Sequence, residues 1–340
     1  MKKRVTIVGG GINGLVAANY LSKSGFSVSL IEKKSRLGGA CTYQTKTINS
    51  KKIDYAQGAT VLGMMPDFIF KELGLSKSLK IFAPKHPKLV YFPESSVSTK
   101  IYQNHKRLHD ELKLKWNEKG DLRQFRNDES KVIDFIRKGY RNAESPSYEK
   151  AENELGKDLA KIWIKGSAKK LLDHYFTSDK TKIYMGMTCI ESGASSIHNE
   201  GTAFTIPLMD SGSVFNGYWG YVKGGIWKIT DEISNINKQL GVDQFCSSEI
   251  ITVDNNKSKI VFEQNNRIQE LSYDYLIFAT DPLTPAKLLK NNKILKEFEK
   301  KDFLGTSGKI TAFFKKPVVW KEKSGYKNSD TAFRLSLIHI

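Results

Sequence analysis

Val5-Thr6-Ile7-Val8 is a β-branched run without polar alternation, the pattern of a strand buried on both faces of a parallel sheet. Gly9-Gly10-Gly11-Ile12-Asn13-Gly14 follows. Leu15-Val16-Ala17-Ala18-Asn19-Tyr20-Leu21-Ser22-Lys23-Ser24 then predicts a helix, closed by Gly25 where a C-terminus favours the left-handed conformation. Val28-Ser29-Leu30-Ile31 predicts a second strand ending at Glu32, so the opening reads as one βαβ unit. Helical spacing recurs over 101–119 and 158–176, the latter with Leu159, Ile162, Trp163, Leu171, Leu172 and Tyr175 among lysines. Pro146, between Ser145 and Ser147, marks a loop between them. Residues 202–208 read as a strand. Gly217-Tyr218-Trp219-Gly220-Tyr221-Val222-Lys223-Gly224-Gly225 leads into a predicted helix over 226–240, ended by Gly241. Strands follow at 249–253 and 259–263, joined by Asn255-Asn256, then a buried strand over 273–282 that enters a loop. A last strand is predicted over 309–315.

This patterning divides the 340 residues into a glycine-rich stretch (1–75), a polar, charged stretch (76–215), a return to strand and helix (216–300), and a tail (301–340). A single core stops growing at roughly 250–300 residues, so two domains are expected. Neither an apolar run of spanning length nor a signal peptide is present, and mean hydropathy is -0.42. Those features argue against a disordered tail, a membrane-embedded chain and a secreted one. The expected location is the cytoplasm, or an organelle matrix such as the mitochondrial one. Cys41, Cys189 and Cys246 stand apart without C-x-x-C spacing, which argues against a disulfide framework, a zinc site or a redox dithiol.

The net charge of +18 invites a nucleic-acid or anionic-surface reading, but 45 of the basic residues are Lys and nine are Arg. Arg dominates phosphate and base recognition through its planar fork. Lysines spread along the chain read as solvated faces first, and as a working surface for an acidic partner or membrane second. No nucleic-acid partner is expected.

Gly9-x-Gly11-x-x-Gly14, between a strand and a helix and followed by Glu32 at the end of the next strand, has the context a dinucleotide fingerprint requires. Gly9 permits the tight turn, Gly11 lets backbone approach a pyrophosphate, and Gly14 lets the helix pack on the sheet. Backbone N–H groups and the helix dipole would then face the phosphates. Glu32 is placed to accept hydrogen bonds from a ribose. These features fit NAD or FAD. Arg36-Leu37-Gly38-Gly39-Ala40, a cation followed by two glycines, suits a pyrophosphate wrapped from a second side and favours FAD.

Glu32-x-x-x-Arg36-x-Gly38-Gly39, with Asp54-Tyr55-Ala56-Gln57-Gly58-Ala59 downstream, resembles the FAD-binding start of the amine oxidase and phytoene desaturase superfamily. Gly58-Ala59-Thr60-Val61-Leu62-Gly63, Gly201-Thr202-Ala203 and the Gly217–Gly225 segment are most similar to its phytoene-dehydrogenase-like branch named for a pyridine nucleotide-disulfide oxidoreductase domain. The resemblance runs from Val5 to about Phe314. It implies an α/β fold: a Rossmann-like FAD-binding domain (1–75 and 216–300) interleaved with an α+β substrate or cap domain (76–215), to which 301–340 would begin the return. It also implies roles by position. Gly9, Gly11, Gly14 and Arg36 would hold the pyrophosphate and Glu32 the ribose. Gly38, Gly39, Gly58 and Ala59 would lie along the cofactor toward the flavin, Ile250 would meet the adenine through its backbone, and Ala279-Thr280 would close over the cofactor.

The implied activity is FAD-dependent hydride removal from an apolar organic substrate, with oxygen, a quinone or another acceptor reoxidising the flavin. Disulfide chemistry is not encoded, because Cys41 has no neighbouring partner. An NAD-dependent dehydrogenase and a non-catalytic protein keeping FAD for structure are the rival readings. No catalytic residue stands out. Trp219 and Tyr221 read either as a pocket wall or as ordinary core aromatics; His198 reads as a solvated loop residue; Asp210 and Lys223 are unsupported candidates. His105 and His109 share a predicted helix face, but Lys106-Arg107-Leu108 between them disfavours a metal. Relatives of this kind continue beyond such a length and close the flavin site with another glycine-rich segment. The last such piece here is Gly305-Thr306-Ser307-Gly308, and Leu335–Ile340 matches no family pattern. The chain is therefore expected to be a fragment that lacks a complete isoalloxazine site and binds FAD poorly or not at all.

Overall fold

A computed structural model describes residues 2–83, 88–92, 97–191, 195–299, 309–315 and 334–337. Gly305-Thr306-Ser307-Gly308 and the end of the tail lie outside the described residues. The chain divides into two compact units. One is drawn from residues 2–62, 68–82 and 221–299, the other mainly from 63–67 and 83–220.

The first unit is built on a four-stranded parallel sheet in the order Tyr275–Phe278, Arg4–Val8, Ser27–Ile31, Asp243–Phe245. Its central strand carries Val5, Ile7 and Val8, all buried, as the unbroken apolar run requires. Helix Ile12–Lys23 connects the two central strands, and helix Trp227–Gln239 lies against it. A fully buried amide pair joins these helices: Asn19 Nδ2 donates to Asn237 Oδ1 at 2.9 Å, and Asn237 Nδ2 donates to the Leu15 carbonyl at 2.9 Å. The pair gives the packing a polar register that hydrophobic burial alone would not specify. A three-stranded antiparallel sheet, Ser248–Asp254, Lys259–Gln264 and Arg267–Ser272, packs Phe262 and Ile260 against Val8 and Ile31.

The second unit has a largely helical core. Trp163 and Phe125 are fully buried, their rings 5.1 Å apart, with Tyr175 and Phe176 completing an aromatic cluster. Polar groups in it are paired: Trp163 Nε1 donates to Tyr175 Oη at 3.2 Å, and that hydroxyl donates to Asp128 Oδ2 at 2.9 Å.

Four sequence expectations change here. Residues 202–208 are not a strand but a 3-10 turn, Thr202–Phe204, running into helix Thr205–Met209. Packing overrides β-branched propensity, because Ala203 and Ile206, three apart, bury one side while Thr205 Oγ1 donates to the Thr202 carbonyl. Residues 309–315 form no strand. The helix expected over 101–119 is His105–Trp116, because Ile101 ends strand Val97–Ile101 and Asn104 caps the helix by accepting the Arg107 N–H. The 158–176 helix is broken: a π-type turn Ala160–Lys165 ends at Gly166, and Ser167 caps helix Ala168–Tyr175. A Cβ on Gly166 would lie 2.2 Å from the Ile162 carbonyl oxygen, so the break needs glycine.

Candidate functional site

The first unit gathers most of the sequence-predicted site residues around the glycine turn. Gly9 has φ +104, and a Cβ there would lie 2.7 Å from the Ala279 carbonyl oxygen and 2.9 Å from Thr280 Cγ2. Ala279 is fixed in turn by its N–H, which donates to the Val8 carbonyl at 2.7 Å. Gly14 packs its helix so closely that a Cβ would lie 2.0 Å from the Gly9 carbonyl oxygen. Gly11 differs: a Cβ would meet only Gly39 Cα, at 3.9 Å, so its outer side is open backbone. No side chain caps helix Ile12–Lys23, which starts at Gly11. An uncapped N-terminus with an open glycine is the geometry that receives an anion.

The second glycine segment meets the first. Gly38 and Gly39 have φ +124 and +56, Gly38 N–H donates to the Gly10 carbonyl at 2.8 Å, and Gly11 and Gly38 form an isolated parallel bridge. Ala59 N–H donates to the Ala40 carbonyl at 2.8 Å, and a Cβ on Gly58 would be 2.6 Å from that oxygen. Gly58-Ala59 therefore docks beside the same loop. Thr230, which sequence reasoning passed over, locks it: its Oγ1 donates to the Cys41 carbonyl at 2.9 Å and sits where a Cβ on Gly38 would go. Only the tertiary contact reveals that role.

Glu32 is half-buried beside the turn. Its Oε2 accepts the Gly10 N–H at 2.8 Å and its Oε1 accepts the Lys34 N–H at 2.9 Å. The Glu32 carbonyl accepts the Ser248 N–H at 3.0 Å, which brings the strand carrying Ile250 alongside. Ile250 itself pairs with Phe262 and packs into the core of that sheet. Arg36 is engaged by other partners, its guanidinium 4.0 Å over the Tyr43 ring and 3.6 Å from Asp231. Cys41, Cys189 and Cys246 are free thiols, each pushed up by burial. Lys223 is exposed, and Tyr221 stacks on Phe82 in a short strand pair.

The second unit has a cavity of about 260 Å³. Ile101, Leu108, Ile133 and Met209 supply apolar wall and Tyr218 and Trp219 aromatic wall. Trp219 is thus a wall residue, while Tyr221 belongs to the other unit. Into this cavity the helix Leu122–Asn142 brings Arg126 and Glu129, and Asp210 joins them. Arg126 Nη1 donates to Glu129 Oε2 and lies 3.6 Å from Asp210 Oδ2. Tyr218 Oη donates to the Gln103 carbonyl at 2.5 Å and is 3.5 Å from His105 Nε2. The sequence showed no polar recognition cluster; the fold assembles one. His198 is exposed in a turn, and among the described residues no group of metal-ligating side chains could hold an ion.

Burial is the main influence on Glu129, whose carboxyl it pushes up to about 7, with Arg126 opposing and Asp210 adding to the rise. One of its oxygens, Oε1, is buried without a partner, so the charged form is poorly served. Burial first, and the Arg126 charge second, lower His105. Because the folded chain holds the Glu129 proton more tightly than the unfolded chain, this group's contribution to stability is full below pH 4.5 and is lost as pH rises through about 7. Urea melts should show wild type losing about 2 kcal/mol between about pH 5 and pH 8 that Glu129→Gln retains. Parallel profiles would contradict the assignment.

A sequence profile described as the NAD(P)-binding Rossmann-like domain matches residues 7–64, the stretch that carries both glycine segments and Glu32. The chain is 23% identical over 313 residues to a 4,4'-diaponeurosporene oxygenase of Staphylococcus haemolyticus, covering 88% of this chain and 60% of that protein. It is 24% identical to a phytoene desaturase of Fusarium fujikuroi, covering 74% of this chain and 44% of the relative. A putrescine oxidase variant with redesigned cofactor binding superposes with a TM-score of 0.54 at 18% identity, covering 84% of this chain and 60% of that one. This chain thus spans about half of each of the two curated relatives' length, and the structural likeness concerns the fold. No described helix is long and apolar enough to cross a membrane. The chain thus carries an NAD(P)-binding Rossmann-like domain at its glycine cradle and is similar over most of its length to proteins named as a phytoene desaturase and a 4,4'-diaponeurosporene oxygenase.

Proposed function

We propose that the chain is the FAD-holding part of a phytoene-dehydrogenase-like oxidoreductase that takes a hydride from a largely apolar organic substrate. The observation that carries this reading is the convergence of two glycine segments and one carboxylate, with open backbone at Gly11 and no room for a side chain at Gly9, Gly14 or Gly58. That cradle fits a dinucleotide: glycine backbone and the uncapped helix start would receive the pyrophosphate. Glu32 would accept the ribose hydroxyls, and Arg36 would reach the phosphates after leaving Asp231. Gly39 and Gly58-Ala59 would border the flavin, Ile250 the adenine, and Ala279-Thr280 would close the turn. When bound, FAD supplies the hydride acceptor, so the protein needs no strong nucleophile of its own. The chain's residues orient the cofactor, and the polar triad of the second unit supports recognition of a substrate that carries one polar group on an apolar body.

Removing the Glu32 charge tests the ribose assignment. Glu32→Gln should weaken FAD by about tenfold, the scale of one charge-assisted hydrogen bond, in a titration that follows flavin fluorescence. Unchanged affinity would remove Glu32 from the site. For the reaction, anaerobic bleaching of the oxidised flavin band by an apolar polyene or a related hydride donor is the expected result. A flavin that stays oxidised with every donor would leave it structural.

A further inference from the structure

Helix His105–Trp116, the start of helix Leu122–Asn142 and the turn between them border a second cavity in the same unit, of about 640 Å³. Helical spacing makes its wall basic. His105, His109 and Lys113 stand at i, i+4 and i+8 on one face, with Lys106 beside them. Arg123 and Arg126 come from the first turns of the next helix, and Lys119 from the connection. Asp121 is the one carboxylate among these lining residues, and it is engaged as a cap, accepting the Gln124 N–H at 2.9 Å. Lys106, Lys113, Lys119 and Arg123 make no ion pair among the described residues. Some lysines elsewhere on the chain are paired with neighbouring carboxylates, as Lys138 is with Glu154 and Lys150 with Glu144; what sets these four apart is that they converge on one concavity.

Four unpaired cations around one concavity repel each other, and a single carboxylate would neutralise only one of them. A group with two or more negative charges and several acceptor oxygens balances the set. The volume lies in the range of small-molecule sites, and Leu122 is the one aliphatic side chain in the wall, so nothing there would enter a bilayer. We propose that this cavity binds a soluble small molecule through a phosphate or polyphosphate group. His105 and Arg126 also line the cavity that holds Glu129, so such a ligand would sit against the same wall. The site is separate from the glycine cradle and does not depend on FAD binding.

The test is calorimetric titration of the whole chain with inorganic tripolyphosphate. Saturable binding is expected, weakened about tenfold or more in the double variant Lys113→Gln, Arg123→Gln. The double variant Lys51→Gln, Lys52→Gln removes the same charge from the hairpin in the other unit and should bind like wild type. In a Gly11→Ala chain, whose cradle is blocked, saturable tripolyphosphate binding and its weakening by Lys113→Gln, Arg123→Gln should both persist, which separates this site from the cradle. Equal weakening by both lysine variants would reduce the effect to bulk charge and overturn the proposal, as would the absence of saturable binding. Sedimentation with phosphatidic acid vesicles that tripolyphosphate fails to displace would assign the phosphate chemistry to a lipid surface and overturn the soluble ligand.

Discussion

Gly11→Ala should leave the first unit folded while lowering FAD affinity about a hundredfold, the scale of losing a charge-assisted contact and the close backbone approach together. Gly11 has φ -71, which alanine adopts freely, and its Cβ would meet nothing nearer than Gly39 Cα at 3.9 Å. The added methyl group therefore costs the fold little. It stands, however, on the open side that a pyrophosphate would approach in the proposed site. Gly14 gives the contrast. A Cβ there would lie 2.0 Å from the Gly9 carbonyl oxygen, well inside contact distance, so helix Ile12–Lys23 would be driven from the sheet. Gly14→Val should lose both binding and stability. Measured together, urea midpoint and flavin titration separate the two glycines: one acts on the ligand, the other on the packing. Equal destabilisation by both substitutions would show that Gly11 is only a packing residue.

Trp163→Ala should cost the second unit about 3–5 kcal/mol, the range for truncating a large buried aromatic. The ring is fully buried among Phe125, Tyr175 and the rest of the helical core, so collapse around the missing side chain is limited. The indole N–H also leaves Tyr175 Oη without a donor, although that hydroxyl keeps Asp128 as its acceptor. Trp163→Phe should recover most of the packing and lose mainly the hydrogen bond, about 1 kcal/mol. Urea denaturation of the whole chain, followed by far-ultraviolet circular dichroism, reads both. A loss below about 1 kcal/mol for Trp163→Ala would mean that this cluster is not the centre of the core.

The parallel strand and its glycine turn were legible because each imposes a local signature: an unbroken β-branched run, and glycine where backbone must come within touching distance of backbone. The same logic found Gly38 and Gly39. Hairpin Tyr43–Ile48 with Lys51–Ala56 was not legible, since most of its positions are exposed and no apolar alternation survives. Helix Leu122–Asn142 was missed for a more informative reason. Its buried face runs Leu122, Phe125, Asp128, Glu129, Val132, Ile136, so two carboxylates interrupt the apolar period. Asp128 serves Tyr175 and Lys131, and Glu129 faces Arg126. Of the two residues that hid the helix, Glu129 is part of the polar wall of the cavity and Asp128 ties the helix to the buried aromatic cluster. Thr230 and the Asn19–Asn237 pair were likewise invisible, because their roles exist only after distant helices meet.

The central claim is that the glycine cradle of the first unit holds FAD by its adenosine diphosphate half, and a flavin fluorescence titration of the chain with ADP as competitor tests it most directly. Saturable one-to-one FAD binding that ADP displaces, and that Gly11→Ala abolishes or sharply weakens, is the predicted result. FAD that fails to bind saturably, or binds wild type and Gly11→Ala alike, would contradict it.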